Sequence, residues 1–139
     1  LMRREAASGT LADAGYVAVR DHALPLVRDI IEGLLVAQKL DAIVYPTSSR
    51  RPALIAAPPE VPGGASTSAS NLANLSGYPD LIVPAGFTTD DLPVGLSFLG
   101  TAFSEAKLLA LGFSFEQASR ARRLPIHTPR LPGESVTLP

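Results

Sequence analysis

Cysteine and tryptophan are absent, histidine and lysine occur only twice each, and charge of neither sign predominates. Without cysteine there can be no disulfide, no thiolate nucleophile and no cysteine-ligated metal. The two histidines, His22 and His127, lie far apart in sequence, so neither a serine–histidine–acid triad nor a metal-ligand cluster has a supporting motif. Lys and Arg together number 12 against 13 Asp and Glu, which leaves no electrostatic footprint for nucleic acid or an anionic membrane. No apolar run reaches the roughly 18–20 residues that span a bilayer, and no basic-then-apolar signal order opens the chain. A cytoplasmic protein with no membrane or nucleic-acid partner, no metal and no cofactor is expected.

What is present suits one domain or part of one, since domains of roughly 100–150 residues are the commonest. The mean hydropathy is +0.21, high for a free-standing soluble domain, and the chain opens Leu1-Met2-Arg3. Both fit an excised piece of a larger protein. Strands buried on both faces in a parent sheet would give such a composition, and self-association through an uncovered edge or patch would follow.

From Leu11 to about Leu40, Tyr16, Val19, Ala23, Val27, Ile30, Ile31, Leu34 and Leu35 recur at helical steps, and Pro25 predicts a kink or two helices abutting near Leu24. Asp41 to Pro46 is a short, β-branched apolar run that reads as a buried strand with Thr47 and Ser48 just past its end. Five prolines between 46 and 64 predict a long surface loop, crossing or lid. A short helix over Ser66 to Ser76 follows, with Leu72 and Leu75 sharing a face and Gly77 at its left-handed end. An apolar core bounded by prolines within Tyr78–Gly86 and a strand-like alternation over Pro93–Gly100 flank a polar connection at Thr88–Asp91, so a hairpin return and a mixed sheet are expected. Ser104 is placed to cap a last helix that ends near Ser119, with Leu108, Leu109 and Phe113 on one face and Arg120, Arg122 and Arg123 at its end. The segment 124–139 reads as an extended tail.

Three features invite a chemical reading. Ser104-Glu105-Ala106-Lys107 has the S-x-x-K spacing that puts a serine and a lysine base on one helical turn, but the companion S-D-N and K-T-G elements are missing, and a helix cap followed by a solvated lysine explains both residues. Gly63-Gly64-Ala65-Ser66-Thr67-Ser68 could hold an anion on free backbone N–H groups. It lacks the Walker lysine and the last glycine of G-x-S-x-G, so a helix-capping loop or a pocket wall is the reading. Arg120, Arg122 and Arg123 read as a solvated helix end.

The ordered blocks decide between these. Ser70-Asn71-Leu72-Ala73-Asn74-Leu75-Ser76-Gly77-Tyr78-Pro79, then Leu81-Ile82-Val83-Pro84-Ala85-Gly86, then Leu92-Pro93-Val94-Gly95-Leu96-Ser97-Phe98-Leu99-Gly100, resemble the C-terminal signature of the amidase-signature family. Upstream, Leu40-Asp41-Ala42-Ile43-Val44-Tyr45-Pro46-Thr47 resembles that family's strand ending in Pro-Thr, and Glu105, Leu108, Leu109 and Glu116 fit its closing helix. The resemblance implies an α/β fold, the C-terminal portion of the amidase-signature fold, with a mixed β-sheet flanked by helices. Residues 1–139 would then be a C-terminal fragment of a single amidase domain. Family members hydrolyse amides with two serines and a lysine carried upstream of every block present here, so no catalytic residue is assigned and the chain alone is not expected to be active. Thr47, Ser48, Ser66 and Thr67 fall in segments that approach the family's substrate cleft and are the expected substrate-binding residues. The expected partner is a small amide substrate in the full-length protein. A free amidase is favoured over the tRNA-dependent amidotransferase subunit, because the loop from Ser48 to Pro62 does not resemble that subunit's pattern. The alternative from another class is a non-catalytic interaction module that pairs through an exposed sheet edge or an apolar helix face.

Overall fold

The computed structural model describes residues 9–48, 71–124 and Gly133. The N-terminal helical run begins where Asp13 accepts hydrogen bonds from the N–H groups of Gly15 and Tyr16, at 2.9 and 3.2 Å, and so caps α1 (Ala14–Ala18). A π-helical turn (Val19–Ala23) follows, closed by Leu24 N–H on Val19 C=O, and leads into α2 (Leu24–Gln38). Pro25 lies in the first turn of α2, where its missing N–H costs least, and the ladder widens just before it. The discontinuity expected at Leu24 is therefore realised as a π-turn.

Helix α2 ends in a Schellman arrangement: Leu40 N–H reaches Leu35 C=O at 2.8 Å, Lys39 N–H reaches Val36 C=O at 3.1 Å, and Lys39 is left-handed at φ 53°. A lysine bears the steric cost that glycine would avoid there. Lys39→Gly is expected to raise stability by about 0.5–1 kcal/mol, read as a higher urea midpoint at unchanged slope.

Strand β1 (Ile43–Pro46) comes next, then α3 (Asn71–Ser76), β2 (Asp80–Phe87), β3 (Pro93–Leu99) and α4 (Glu105–Ser119). The described strands form one sheet in the order β1-β3-β2, and both pairings are antiparallel. The β2–β3 return is the expected hairpin. Its turn closes through Thr88 N–H to Leu92 C=O at 2.9 Å and Leu92 N–H to Thr88 Oγ1 at 3.1 Å, with Asp91 left-handed at φ 59°. Parallel pairing, which a mixed sheet would also contain, does not occur among the described strands.

The period of two along β3 explains the layering. Leu99 and its cross-strand partner Ile43 face α2 and α3, where Ile31, Leu35 and Tyr78 complete one cluster, with Val27, Tyr45 and Ala73 packed on it. Phe98 and Leu96 point to the other face, where Val83 and Leu108 form a second cluster with Leu81, Leu111 and Phe115. The Phe98 and Phe115 rings meet edge to face at 5.9 Å. The sheet is thus a middle layer between α2–α3 and α4.

Two expected helix faces shift. In α2 the buried stripe is Ile31 and Leu35 with Val27 beside it, while Ile30 and Leu34 are exposed, as are Tyr16 and Val19 before it. In α4 the inward face is Leu108, Leu111, Gly112 and Phe115, whereas Leu109 and Phe113 are 60% and 64% exposed. Helix spacing tells which residues share a face, but the sheet is narrow and covers only one stripe of each helix. In α3, Leu72 and Leu75 are exposed and Ser76 is buried, its hydroxyl donating to Leu72 C=O at 2.7 Å. Gly77 is left-handed at φ 71° and ends this helix as expected, its N–H on Ala73 C=O at 2.8 Å. Arg28 Nε donates to the Ser76 carbonyl at 2.7 Å and ties α2 to the same end.

Candidate functional site

Thr47 follows β1 and is held beside β3. Its N–H donates to Gly95 C=O at 3.0 Å, and its Oγ1 lies 2.9 Å from Ser97 Oγ. Antiparallel register puts Ser97 opposite Tyr45 and Ile82, and side chains at this parity share the α2 face of the sheet. Tyr45 reaches over β3 to donate to Asp80 Oδ2 at 2.9 Å. Four polar side chains, Tyr45, Ser97 and Asp80 from three strands and Thr47 just past β1, therefore run in a row across one face. Ser97 is fully buried, and Asp80 Oδ1 is buried with no hydrogen-bond partner among the described residues.

The Tyr45 phenol is pushed up to about 12, first by burial and then by its hydrogen bond to Asp80, while Ser97 acts in the opposite sense. Tyr78, whose hydroxyl donates to Glu32 Oε1, is likewise pushed up to about 12, here first by that bond and then by burial. Both groups are protonated in the folded protein at a pH where an unfolded tyrosine, near pKa 10, has begun to ionise. Their contribution to stability is complete below about pH 10 and is lost as pH rises through about 12. Phenolate absorbance near 295 nm should show two tyrosines titrating late, together with loss of ellipticity over the same interval. Normal titration in the folded state would contradict this.

Of the four expected substrate-binding residues, the structure describes two. Thr47 is half-buried in the polar row, and Ser48 is exposed immediately beyond it. Ser66 and Thr67, with the whole glycine- and hydroxyl-rich loop, lie outside the described residues, as do most of the 46–64 loop, most of the 124–139 tail and His127. His22 sits exposed in the π-turn, and no metal-ligating group of three or more exists among the described residues.

Ser104 and Lys107 are engaged elsewhere. The Ser104 hydroxyl donates back to Thr101 C=O at 2.7 Å and makes no side-chain cap to α4, correcting the expected cap. Lys107 Nζ donates to Asp41 Oδ1 at 2.7 Å across an exposed ion pair. That pair helps close a groove of about 420 Å³ between the end of α2 and the start of α4. A second groove, of about 480 Å³, runs along β2 beneath Arg122 and Arg123. Arg123 stacks on Phe87 with its guanidinium carbon 3.6 Å from the ring centroid and donates to Asp91 at 3.1 Å. Neither groove is lined by Thr47 or Ser48.

The row itself was missed in the sequence. Its signal was the interruption of an apolar strand by Ser97 at a core-facing position, with Tyr45 in matching parity on β1. Parity becomes useful only once the register Tyr45↔Ser97↔Ile82 is known.

A hairpin antiparallel to a short strand, sandwiched between helices, with hydroxyls at the end of that strand, is the arrangement that comparison with known proteins places in one family. The amidase family model matches residues 2–109, and the chain belongs to this family. Among curated relatives, the glutamyl-tRNA(Gln) amidotransferase subunit of Desulforudis audaxviator is 34% identical over 127 residues, which are 90% of this chain and 25% of that protein. The peptide amidase of Stenotrophomonas maltophilia superimposes with a TM-score of 0.68 at 38% identity, covering 88% of this chain and 24% of the amidase. The corresponding amidotransferase subunit of Thermotoga maritima gives 0.57 at 30% identity, covering 85% of this chain and 26% of that one. The chain thus spans about a quarter of the length of these relatives. Its α/β fold, with three antiparallel strands and flanking helices, is theirs over that span. No helix among the described residues is long and apolar enough to cross a membrane.

Proposed function

We propose that this chain is the C-terminal part of a cytoplasmic amidase acting on small carboxamides, supplying scaffold and one wall of the substrate cleft. The nucleophilic serines and the lysine base that the resemblance implies belong to the remainder of the enzyme. The observation that carries this reading is the extent of the match: nearly all of the chain aligns with peptide amidase at 38% identity, yet it equals only 24% of that enzyme. Ser104 and Lys107, bonded to Thr101 and Asp41, offer no nucleophile–base pair in its place. Thr47 and Ser48, at the end of β1, are the described residues that would line the cleft.

The test compares hydrolysis of a panel of small carboxamides by the 139-residue chain and by the longest reading frame that contains it. Activity in the longer protein alone supports the proposal. Turnover by the short chain would overturn it and return attention to Ser104, where loss of phosphonate labelling in Ser104→Ala would identify the nucleophile. Inactivity of both would remove the amidase reading.

An interaction module is the second reading. The ladder bond from Thr47 to Gly95 turns the backbone of Val44 away from β3, so its N–H and C=O face the outer edge of β1, which no described strand covers, beside an exposed Val44. Ile30 and Leu34 on α2 add uncovered apolar surface. Self-association of the isolated chain with no activity in any longer product would favour this reading.

A further inference from the structure

Helix α2 carries more apolar surface than the sheet uses. At about 100° per residue, Val27, Ile31 and Leu35 fall on the face that meets the sheet, and Ile31 and Leu35 are buried there. Leu26, Ile30, Gly33, Leu34 and Ala37 fall on an adjoining stripe with no charge in it. The three charged residues of the helix, Arg28, Asp29 and Glu32, lie on the opposite flank, where Arg28 and Glu32 are bonded to Ser76 and Tyr78. A helix face turned to water ordinarily holds the charges. Here the uncharged stripe is the uncovered one, with Leu26, Ile30 and Leu34 58%, 60% and 46% exposed.

Gly33 is the anomaly within that stripe. Glycine is the poorest helix former after proline, and a Cβ at this position would meet nothing within 4 Å. No contact among the described residues calls for it. A second element crossing the stripe at close range does.

Size decides what that element belongs to. From Leu26 to Ala37 the stripe is about 16 Å long and about 10 Å wide, far short of the roughly 800 Å² per partner that a stable dimer buries. A second copy laid on α2 would also leave Leu109 and Phe113 uncovered on α4, across the sheet. A segment joined to this one in a single chain needs no such area, because linkage supplies the effective concentration. About three quarters of each relative's length has no counterpart in this chain, enough to cover both layers at once.

We propose that the Leu26–Ala37 stripe of α2 is an interface with the upstream portion of the same protein, which crosses it with an uncharged element at Gly33. The inference rests on the reading above that this chain is the C-terminal part of a longer enzyme, and it deepens that reading by naming the surface through which the scaffold holds the remainder. Arg28 and Glu32, engaged with α3 and Tyr78, keep the charged flank out of the contact.

The experiment introduces single cysteines, of which this chain has none, and follows their modification by a maleimide with peptide-resolved mass spectrometry. Ile30→Cys and Leu34→Cys report on the stripe, and Val36→Cys, at a position 78% exposed and outside the stripe, is the control. In the product of the longest reading frame containing this chain, the two stripe cysteines are expected to react at least about 10-fold more slowly than the control, whereas in the 139-residue chain all three should react within about 3-fold of one another. Equal reactivity of all three in the longer product would overturn the proposal. Protection already present in the 139-residue chain and lost on dilution would give the stripe to a second copy and overturn it too. Amide hydrolysis by the unsubstituted longer product, measured in parallel, separates this inference from the functional one. An active product with unprotected stripe cysteines overturns the interface alone, and an inactive product with protected ones removes the amidase reading and supports the interface. Should Ile30→Cys fail to fold, Leu34→Cys decides by itself, and should the 139-residue chain be insoluble, the comparison with Val36→Cys within the longer product suffices.

Discussion

Replacing Leu99 by alanine is expected to cost about 2–5 kcal/mol of stability, the largest effect of any single truncation in the sheet. Leu99 has no exposed surface and sits in the central strand, paired to Ile43 on one side and Asp80 on the other. Its side chain is enclosed by Ile31, Leu35 and Tyr78. Truncation removes the transfer free energy of the lost carbons and leaves a cavity whose walls belong to three elements already fixed by hydrogen bonds: Arg28 to Ser76, Tyr78 to Glu32, and the β1–β3 ladder. Collapse into the gap is therefore restricted, which favours the upper part of the range. Truncating Val44, on the edge strand and about half exposed, is the comparison and should stay within about 1 kcal/mol. Urea unfolding of the two variants side by side measures the difference, and equal midpoints would contradict the assignment of Leu99 to the centre of the fold.

The same two residues illustrate what could be read from sequence. Both strands were legible, that of Val44 because length and β-branching excluded a helix and that of Leu99 because its residues alternate as a strand's do. Burial was not legible. Leu99 and Val44 differ because β3 is central and β1 is an edge among the described strands, a fact about pairing order that no local pattern encodes. The helices repeat this lesson: spacing identified α2 and α4, but only the position of the sheet selects Ile31 over Ile30 and Leu108 over Leu109.

For the candidate site the division is similar. Thr47 and Ser48 were marked by the family resemblance, which implies that the segment just beyond this strand approaches the substrate cleft. Ser97, Tyr45 and Asp80 were not, because they are separated by 17 to 52 residues and are brought together only by two antiparallel registers. A buried serine inside a strand is nevertheless a physical anomaly. It must find a partner, and Thr47 is the partner it finds, at 2.9 Å. The S-x-x-K pattern shows the reverse case. The spacing put Ser104 and Lys107 on one turn, yet Thr101 and Asp41 are nearer in chemistry, and each takes one of the pair.

The second large effect concerns a glycine that local propensity would discard. Gly112 lies within α4, where glycine is about 1 kcal/mol less favourable than alanine. It is buried, and a Cβ built there would stand 2.4 Å from Leu81 Cδ2 and 3.2 Å from Val83 Cγ1. The absent side chain is thus what lets α4 approach β2 closely enough to bury Leu108 and to set Phe115 against Phe98. Alanine gains helix propensity but forces Leu81 to shift, and a leucine end can rotate, so Gly112→Ala should fall within about 1 kcal/mol of the parent. Gly112→Val adds two more carbons toward Val83, loses most of the propensity gain to its β-branch, and should destabilise by about 1–3 kcal/mol. Leu109, exposed on the flank of the same helix, provides the control: Leu109→Val carries the same branching at a mostly solvated position and should cost less than about 1 kcal/mol. A Gly112→Val variant as stable as Leu109→Val would mean that α4 does not pack on β2 through this position.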